Sequence, residues 1–137
     1  MDADLRRQRY VGDAISTASP AKLVTMLYDR LVRDLQVAEA ALTTRDLAAA
    51  NANLTHAQEI VFELRSSLKP ELWDGGPALA SLYAFVLSEL IAANVAKDVT
   101  KVAACRALVE PLRDAWHEAA NALASQPALI DRVPATV

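Results

Sequence analysis

Residues 46–68 read DLAAANANLTHAQEIVFELRSSL, and this stretch decides the fold class. Its apolar residues recur at alternating spacings of three and four, the period that keeps one stripe of an α-helix facing a neighbour. The stripe holds through seven positions without a miss: Leu47, Ala50, Leu54, Ala57, Val61, Leu64 and Leu68. Asp46 stands before it, and an aspartate oxygen can accept hydrogen bonds from the free amides of a first helical turn. The stretch therefore predicts a long amphipathic helix, helix 2.

Three other stretches have the same period. Ser19 and Pro20 form a helix start, and helix 1 is expected to run from there to about Thr43. Its stripe is Val24, Tyr28, Leu31, Leu35, Ala38 and Leu42. Helix 3 is expected from Pro77 to about Ala96, with the stripe Leu79, Tyr83, Val86, Leu90 and Ala93. Helix 4 follows the cap Asp98 with Val102, Cys105, Val109, Leu112, Trp116, Ala119 and Leu123, and it continues through Pro111 with a kink.

The connections between these helices determine the predicted topology. Very short links join helix 1 to helix 2 and helix 3 to helix 4, while residues 69–77 form the one substantial internal loop, with Trp73, Gly75 and Gly76. Short links make neighbouring helices antiparallel. The sequence thus predicts an all-α, antiparallel up-down four-helix bundle, with an N-terminal arm that can pack as a short extra helix. We expect an arm or lid over residues 1–18, the bundle over 19–125 and a mobile tail over 126–137.

Composition and charge disfavour several classes of function. The 137 residues are 53% hydrophobic with a formal net charge of −3, whereas a nucleic-acid binder usually needs a basic face. The lone Cys105 suits a reducing cytosol, and the N-terminus lacks the apolar run of a signal peptide. A di-metal bundle site needs Glu-x-x-His, which is missing, and both histidines are expected on helix surfaces. We expect no enzyme, no metal, no cofactor, no catalytic residue and a cytoplasmic location.

Helix 3 is apolar on nearly all sides, because its only charged residue is Glu89. Its length would just span a bilayer, but its six alanines and its serines and asparagine make it too polar for confident insertion. We therefore expect no direct membrane insertion. A helix of this kind in a soluble protein is covered on two sides, by the bundle and by something else.

Apolar residues beyond the stripes indicate a protein-binding surface. Phe62 and Phe85 each lie about 100° from an inward residue of their helix. Leu87, Ile91 and Val95 extend the apolar excess around helix 3, and exposed apolar surface usually marks a partner site. Two purely structural alternatives remain open. A wide apolar face or a docked terminus would bury both phenylalanines, and a poorly ordered N-terminal arm would have no role in binding. The arm residues Leu5, Tyr10, Val11 and Ile15 could instead cover helix 3 as a lid.

Segments in all four helices resemble one family in their order and spacing. They are Tyr10, Thr17-Ala18-Ser19-Pro20, Leu23, Met26-Leu27-Tyr28-Asp29, Ala57-Gln58-Glu59-Ile60, Glu63-Leu64-Arg65-Ser66-Ser67-Leu68, Gly75-Gly76, Leu82-Tyr83, Leu90-Ile91, Ala93-Asn94, Lys97-Asp98, Leu112-Arg113-Asp114 and Trp116. Together they cover residues 10 to about 120, and the chain resembles the flagellin-specific secretion chaperones of the FliS family. It departs from the usual pattern at Pro111 and at Leu72-Trp73-Asp74.

This resemblance implies a cytosolic export chaperone. Such a protein binds the disordered C-terminal segment of flagellin, prevents premature polymerisation and delivers the subunit to the cytosolic part of the membrane export gate. The family's N-terminal segment, matched by Tyr10, is thought to cover part of the groove. The expected client-binding residues are Tyr10, Ile15, Phe62, Leu82, Phe85, Leu87, Ile91 and Val95. The competing function is a structural bundle that forms a homodimer through the apolar face of helix 3.

Overall fold

The computed structural model describes residues 20–125, which form four α-helices and one 3-10 turn. The helices are α1 (Pro20–Thr43), α2 (Leu47–Ser67), α3 (Gly76–Ala96) and α4 (Val99–Ala124), and the 3-10 turn is Pro70–Leu72. No strand occurs within this range. These bounds confirm the four predicted helices and the all-α class, and α4 continues through Pro111 as expected. The expected arm at 1–18, with Tyr10 and Ile15, and the expected tail at 126–137 lie outside the described residues.

Each helix packs against two others, so that the four form a closed square. α1 contacts α2 and α4, while α3 contacts α2 and α4. The packing of α3 on α4 is the least extensive of the four contacts. This arrangement confirms the antiparallel up-down bundle, and it leaves the side between α3 and α4 the most open.

Side-chain caps and left-handed residues form the two short connections. Asp46 accepts a hydrogen bond from the Ala49 amide at 3.1 Å, and Asp98 accepts one from the Thr100 amide at 2.9 Å, which confirms both predicted caps. Arg45 and Lys97 adopt φ values of 64° and 53°, a left-handed conformation that lets the chain reverse directly after a helix.

The core follows the predicted stripes except at Val24 in α1, at the ends of α2 and in the second half of α4. Every stripe residue of helix 3 is buried, whereas Leu47 is exposed in the first turn of α2. In α4 the stripe is buried only as far as Val109, and Ala119 and Leu123 are exposed. Length accounts for the final turn only: α4 has 26 residues and the antiparallel α3 has 21, so Leu123 lies beyond the first residue of α3. Leu112 and Trp116 are half-buried although they still lie alongside α3.

A buried carboxylate joins α1 to α2, and no sequence pattern had indicated it. Asp34 is only 1% exposed, accepts a hydrogen bond from Arg30 Nε at 3.1 Å and pairs with Nδ1 of His56 on α2. Arg106 of α4 similarly pairs with Glu39 of α1, so Glu39 lies at a helix interface. These polar contacts fix the register of α1 against both neighbours.

Candidate protein-binding site

Two apolar cavities lie at the end of the bundle where α1 and α3 begin and α2 ends. The larger has a volume of about 570 Å³, and the smaller, between α3 and α4, about 470 Å³. The larger is lined by Pro20, Leu23, Val24, Leu27, Glu63, Leu64, Ser67, Leu68, Lys69, Leu72, Trp73, Leu79, Tyr83 and Trp116. The smaller is lined by Trp73, Gly75, Ala78, Leu79, Leu82, Leu112, Ala115 and Trp116. Their linings suit apolar side chains of a partner.

An aromatic cluster supports the inner wall of the larger cavity. The hydroxyl groups of Tyr28 and Tyr83 are 2.6 Å apart, and the rings of Tyr28 and Trp116 have centroids 6.5 Å apart. Burial raises the pKa of both tyrosines above their ordinary value of 10.0. Both hydroxyl groups therefore stay protonated at neutral pH, and their mutual hydrogen bond is retained there. Trp116, predicted as a stripe residue, is only half-buried because its ring also lines both cavities.

Trp73 stands between the two cavities and lines both. Trp73 is 48% exposed, and its six-membered ring lies on Gly75. A Cβ atom added to Gly75 would be 2.8 Å from Cε3 and 2.9 Å from Cη2 of that ring, and closer still to Cζ3. The neighbouring Gly76 serves a different contact, since a Cβ there would be 2.6 Å from the Cα atom of Pro70. The two glycines thus allow the loop to lie directly on the start of α3.

The linings of both cavities are predominantly apolar. Glu63 and Lys69 are the charged residues in the lining of the larger cavity, and the smaller has none. Within residues 20–125 no group of three or more His, Cys, Asp or Glu side chains is placed to hold a metal ion. Cys105 is buried in the core, and burial raises its pKa to about 11, so its thiol stays protonated at neutral pH. The arrangement supports binding of apolar groups.

The structure divides the predicted binding residues of helix 3 between two flanks. Asn94 donates a hydrogen bond to Asn51 at 2.9 Å, so one flank faces α2, and Lys101 pairs with Glu89 at 3.1 Å, so the other faces α4. At about 100° per residue, Leu87, Ile91 and Val95 lie on the α2 flank, and Leu82 and Phe85 lie on the α4 flank. Phe62 lies on α2 about three turns from Asn51, and it faces the same side. The predicted residues therefore form two patches, not one.

The exposed fractions of these residues show that most of them do not belong to the buried core. Phe62 is 60% exposed, Phe85 53% and Val95 82%, so neither phenylalanine is covered within the described residues. Leu82 and Leu87 are half-buried, and Leu82 lines the smaller cavity. Their role in binding a partner stays a prediction.

Sequence reasoning did not assign the cavities or their central residues to a site. Trp73, Leu72 and Leu112 belong to them, but Trp73 and Leu72 had been assigned to a loop and Leu112 to a core stripe. One signal was available: Trp73 is one of only two tryptophans and stands in the only long internal loop. A large aromatic residue in such a loop usually has a contact to make.

By length and composition alone, α3 is long and apolar enough to cross a membrane. The mean hydropathy of its most apolar 18 residues is 1.7, and 28% of these residues are buried in the bundle. The buried residues are those that pack against α2 and α4, so α3 is a structural member of the bundle.

Comparisons with known proteins agree on one family. A family model described as flagellar protein FliS matches residues 3–123. The flagellar secretion chaperone FliS of Escherichia coli (strain K12) is 33% identical over 110 residues, which are 79% of this chain and 81% of that protein. The one of Bacillus subtilis (strain 168) is 29% identical over 110 residues, 80% and 82% of the two chains. A crystal structure of a flagellar chaperone from bacteria shares the fold, with a TM-score of 0.68 at 24% identity over 86% of this chain and 98% of that one.

Proposed function

The chain belongs to the FliS family of flagellar secretion chaperones, and from that membership we propose that it binds the C-terminal segment of newly made flagellin in the cytoplasm. The observation that carries the proposal is the apolar surface on both flanks of α3, which the bundle itself does not bury. Surface of this kind is retained where a partner covers it. The activity is binding and release, with no covalent step and no cofactor.

The two patches support a client that wraps around the bundle. One helix of the client would lie in the smaller cavity beside Leu82 and Phe85, and a second would cover Phe62, Leu87, Ile91 and Val95 on the α2 flank. A disordered segment that folds on binding can cover both patches because it has no structure of its own to preserve. Covering the segment would prevent premature polymerisation, and the loaded complex would deliver it to the cytosolic part of the export gate without inserting into the membrane.

The direct test is calorimetry with full-length flagellin and with flagellin that lacks its C-terminal segment. We expect the full-length protein to bind and the truncated form to show no measurable heat. Far-ultraviolet circular dichroism should show more helix in the complex than in the separate proteins, because the client becomes ordered as it binds. Equal binding of both forms, or of neither, would contradict the proposal. A stable homodimer through α3 in sedimentation, without affinity for flagellin, would favour the structural function instead.

We also propose that the arm at residues 1–18, with Tyr10 and Ile15, is a lid that the client displaces. Pro20 and Leu23 of the first turn of α1 line the larger cavity, so the chain enters the bundle at the rim of that cavity. Eighteen residues can span up to about 60 Å when extended, which is enough to reach either patch. Amide hydrogen exchange should show protection of the arm in the free protein and its loss on client binding. A gain of protection would indicate that the arm clasps the client, and an arm unprotected in both states would exclude both roles.

A further inference from the structure

Three side chains line both cavities, namely Trp73, Leu79 and Trp116. Leu79 is buried in the core and Trp116 packs on Tyr28, but Trp73 stands on the loop between α2 and α3. We propose that the Trp73 indole is a movable partition: it divides one apolar groove into two, and an amphipathic helix of the client displaces it and packs against its face. The identity of that helix rests on the proposed function; the partition itself does not.

The contacts of Trp73 allow the ring to move. Its indole nitrogen forms no hydrogen bond to any residue between 20 and 125, and its side chain is half-exposed. Its backbone is extended, with φ −160° and ψ 156°, between the 3-10 turn and Gly75. A rotation about the first side-chain torsion therefore moves the ring without unfolding either neighbour, and exposed side chains rotate on fast timescales.

A joined groove fits a helix better than two separate cavities do. Each cavity, at about 570 and 470 Å³, takes a few apolar side chains. A docked amphipathic helix presents anchors at positions i, i+3 or i+4 and i+7, which span about 10 Å along its axis. Removing the ring from the shared wall gives successive anchors one continuous floor. The displaced indole then becomes a large aromatic contact for the helix, a type enriched at binding hot spots.

Gly75 supplies a substitution that moves the ring and leaves its chemistry unchanged. The residue has φ −80° and ψ −8°, which any L-amino acid adopts, so the backbone does not require glycine. An alanine Cβ would overlap the Trp73 ring and force it away from the wall. Gly76→Ala is unsuitable for this purpose, because its Cβ would meet the backbone of Pro70.

The experiment uses the full chain with both tryptophans replaced by 5-fluorotryptophan, and Trp73→Phe assigns the two fluorine resonances. We expect flagellin to shift the Trp73 resonance, and Gly75→Ala to shift it already in the free protein. Gly75→Ala should lower the calorimetric Kd for flagellin about tenfold, as expected when a binding-competent state populated at about 10% becomes dominant. Trp73→Ala should raise the Kd, because the groove is joined but the aromatic contact is lost. Ser81→Ala, exposed on α3 and directed away from both cavities, is the matched control and should change neither quantity.

The outcomes separate the partition from the proposed function. If flagellin binds, but the Trp73 resonance stays in place and Gly75→Ala has the wild-type Kd, the partition is wrong and the function stands. If flagellin does not bind, the proposed function is wrong. The proposal that Trp73 is a movable partition is then tested on the free protein, with the dye 8-anilinonaphthalene-1-sulfonate as an apolar probe. Gly75→Ala must then shift the Trp73 resonance and bind the dye more tightly than Ser81→Ala does. Failure of either result overturns the partition.

Discussion

Replacing Phe85 by aspartate is expected to weaken flagellin binding at least about a hundredfold while the bundle stays folded. Phe85 is exposed on the flank of α3 that faces α4, about one turn after Leu82, which lines the smaller cavity, so a carboxylate at position 85 remains solvated in the free protein. In the complex the same carboxylate would be buried against an apolar helix without a partner, which costs about 3 kcal/mol or more. That free energy corresponds to a factor of about a hundred or more in Kd.

Val37→Asp is the matched control for this prediction. Val37 is also an exposed apolar residue, but it lies on α1, diagonally across the bundle from α3. It should retain wild-type affinity in calorimetry, and both variants should retain the helical circular dichroism of the parent. An unfolded Phe85→Asp protein would show that Phe85 contributes to the core, and equal affinities of the two variants would remove the α4 flank from the binding site.

Tyr28→Ala should lower the free energy of unfolding by about 3 to 5 kcal/mol, the range for truncating a large buried aromatic residue. Tyr28 is fully buried and contacts the rings of both Tyr83 and Trp116, so its removal leaves a void between α1, α3 and α4. The void would join the larger cavity, whose wall includes both of these neighbours. Urea unfolding followed by circular dichroism at 222 nm measures the change.

Tyr28→Phe separates the hydroxyl group from the ring. It keeps the ring contacts and removes one side of the hydrogen bond to Tyr83, so we expect a loss of about 1 to 2 kcal/mol. A Tyr28→Phe protein as unstable as Tyr28→Ala would show that the hydroxyl pair, and not the ring, dominates. A Tyr28→Ala protein of near wild-type stability would contradict the packing described for this cluster.

The helices and the core of α3 could be predicted because local rules and packing agree there. Asp46 and Asp98 cap helices as their side-chain chemistry dictates, and the three-four spacing of α3 identified its buried residues. The stripe failed in α4 after Val109 because periodicity reports which side of a helix is apolar. It does not report where neighbouring segments leave a cavity, as they do beside Leu112 and Trp116, or where a neighbouring helix ends, as α3 does before Leu123.

Two features of the site depend on tertiary distance and could not be read from periodicity. The division of the predicted binding residues between the flanks of α3 follows from pairings across helices, such as Asn94 with Asn51 and Lys101 with Glu89. The cavities are lined by residues from all four helices and from the loop between α2 and α3, so they depend on how these segments meet. Asp34 was missed for a similar reason, since its burial depends on His56 on another helix.

The short connections at Arg45 and Lys97 have a consequence for how the chain acquires its structure during synthesis. Each hairpin pairs residues that are close in sequence, so α1 and α2 can associate as soon as both have left the ribosome, and low contact order favours fast folding. α3 follows with its apolar surface, and until α4 emerges nothing later in the chain can cover the side that α4 will occupy. During that interval the nascent chain exposes the apolar side of α3, and transiently exposed apolar surface favours aggregation.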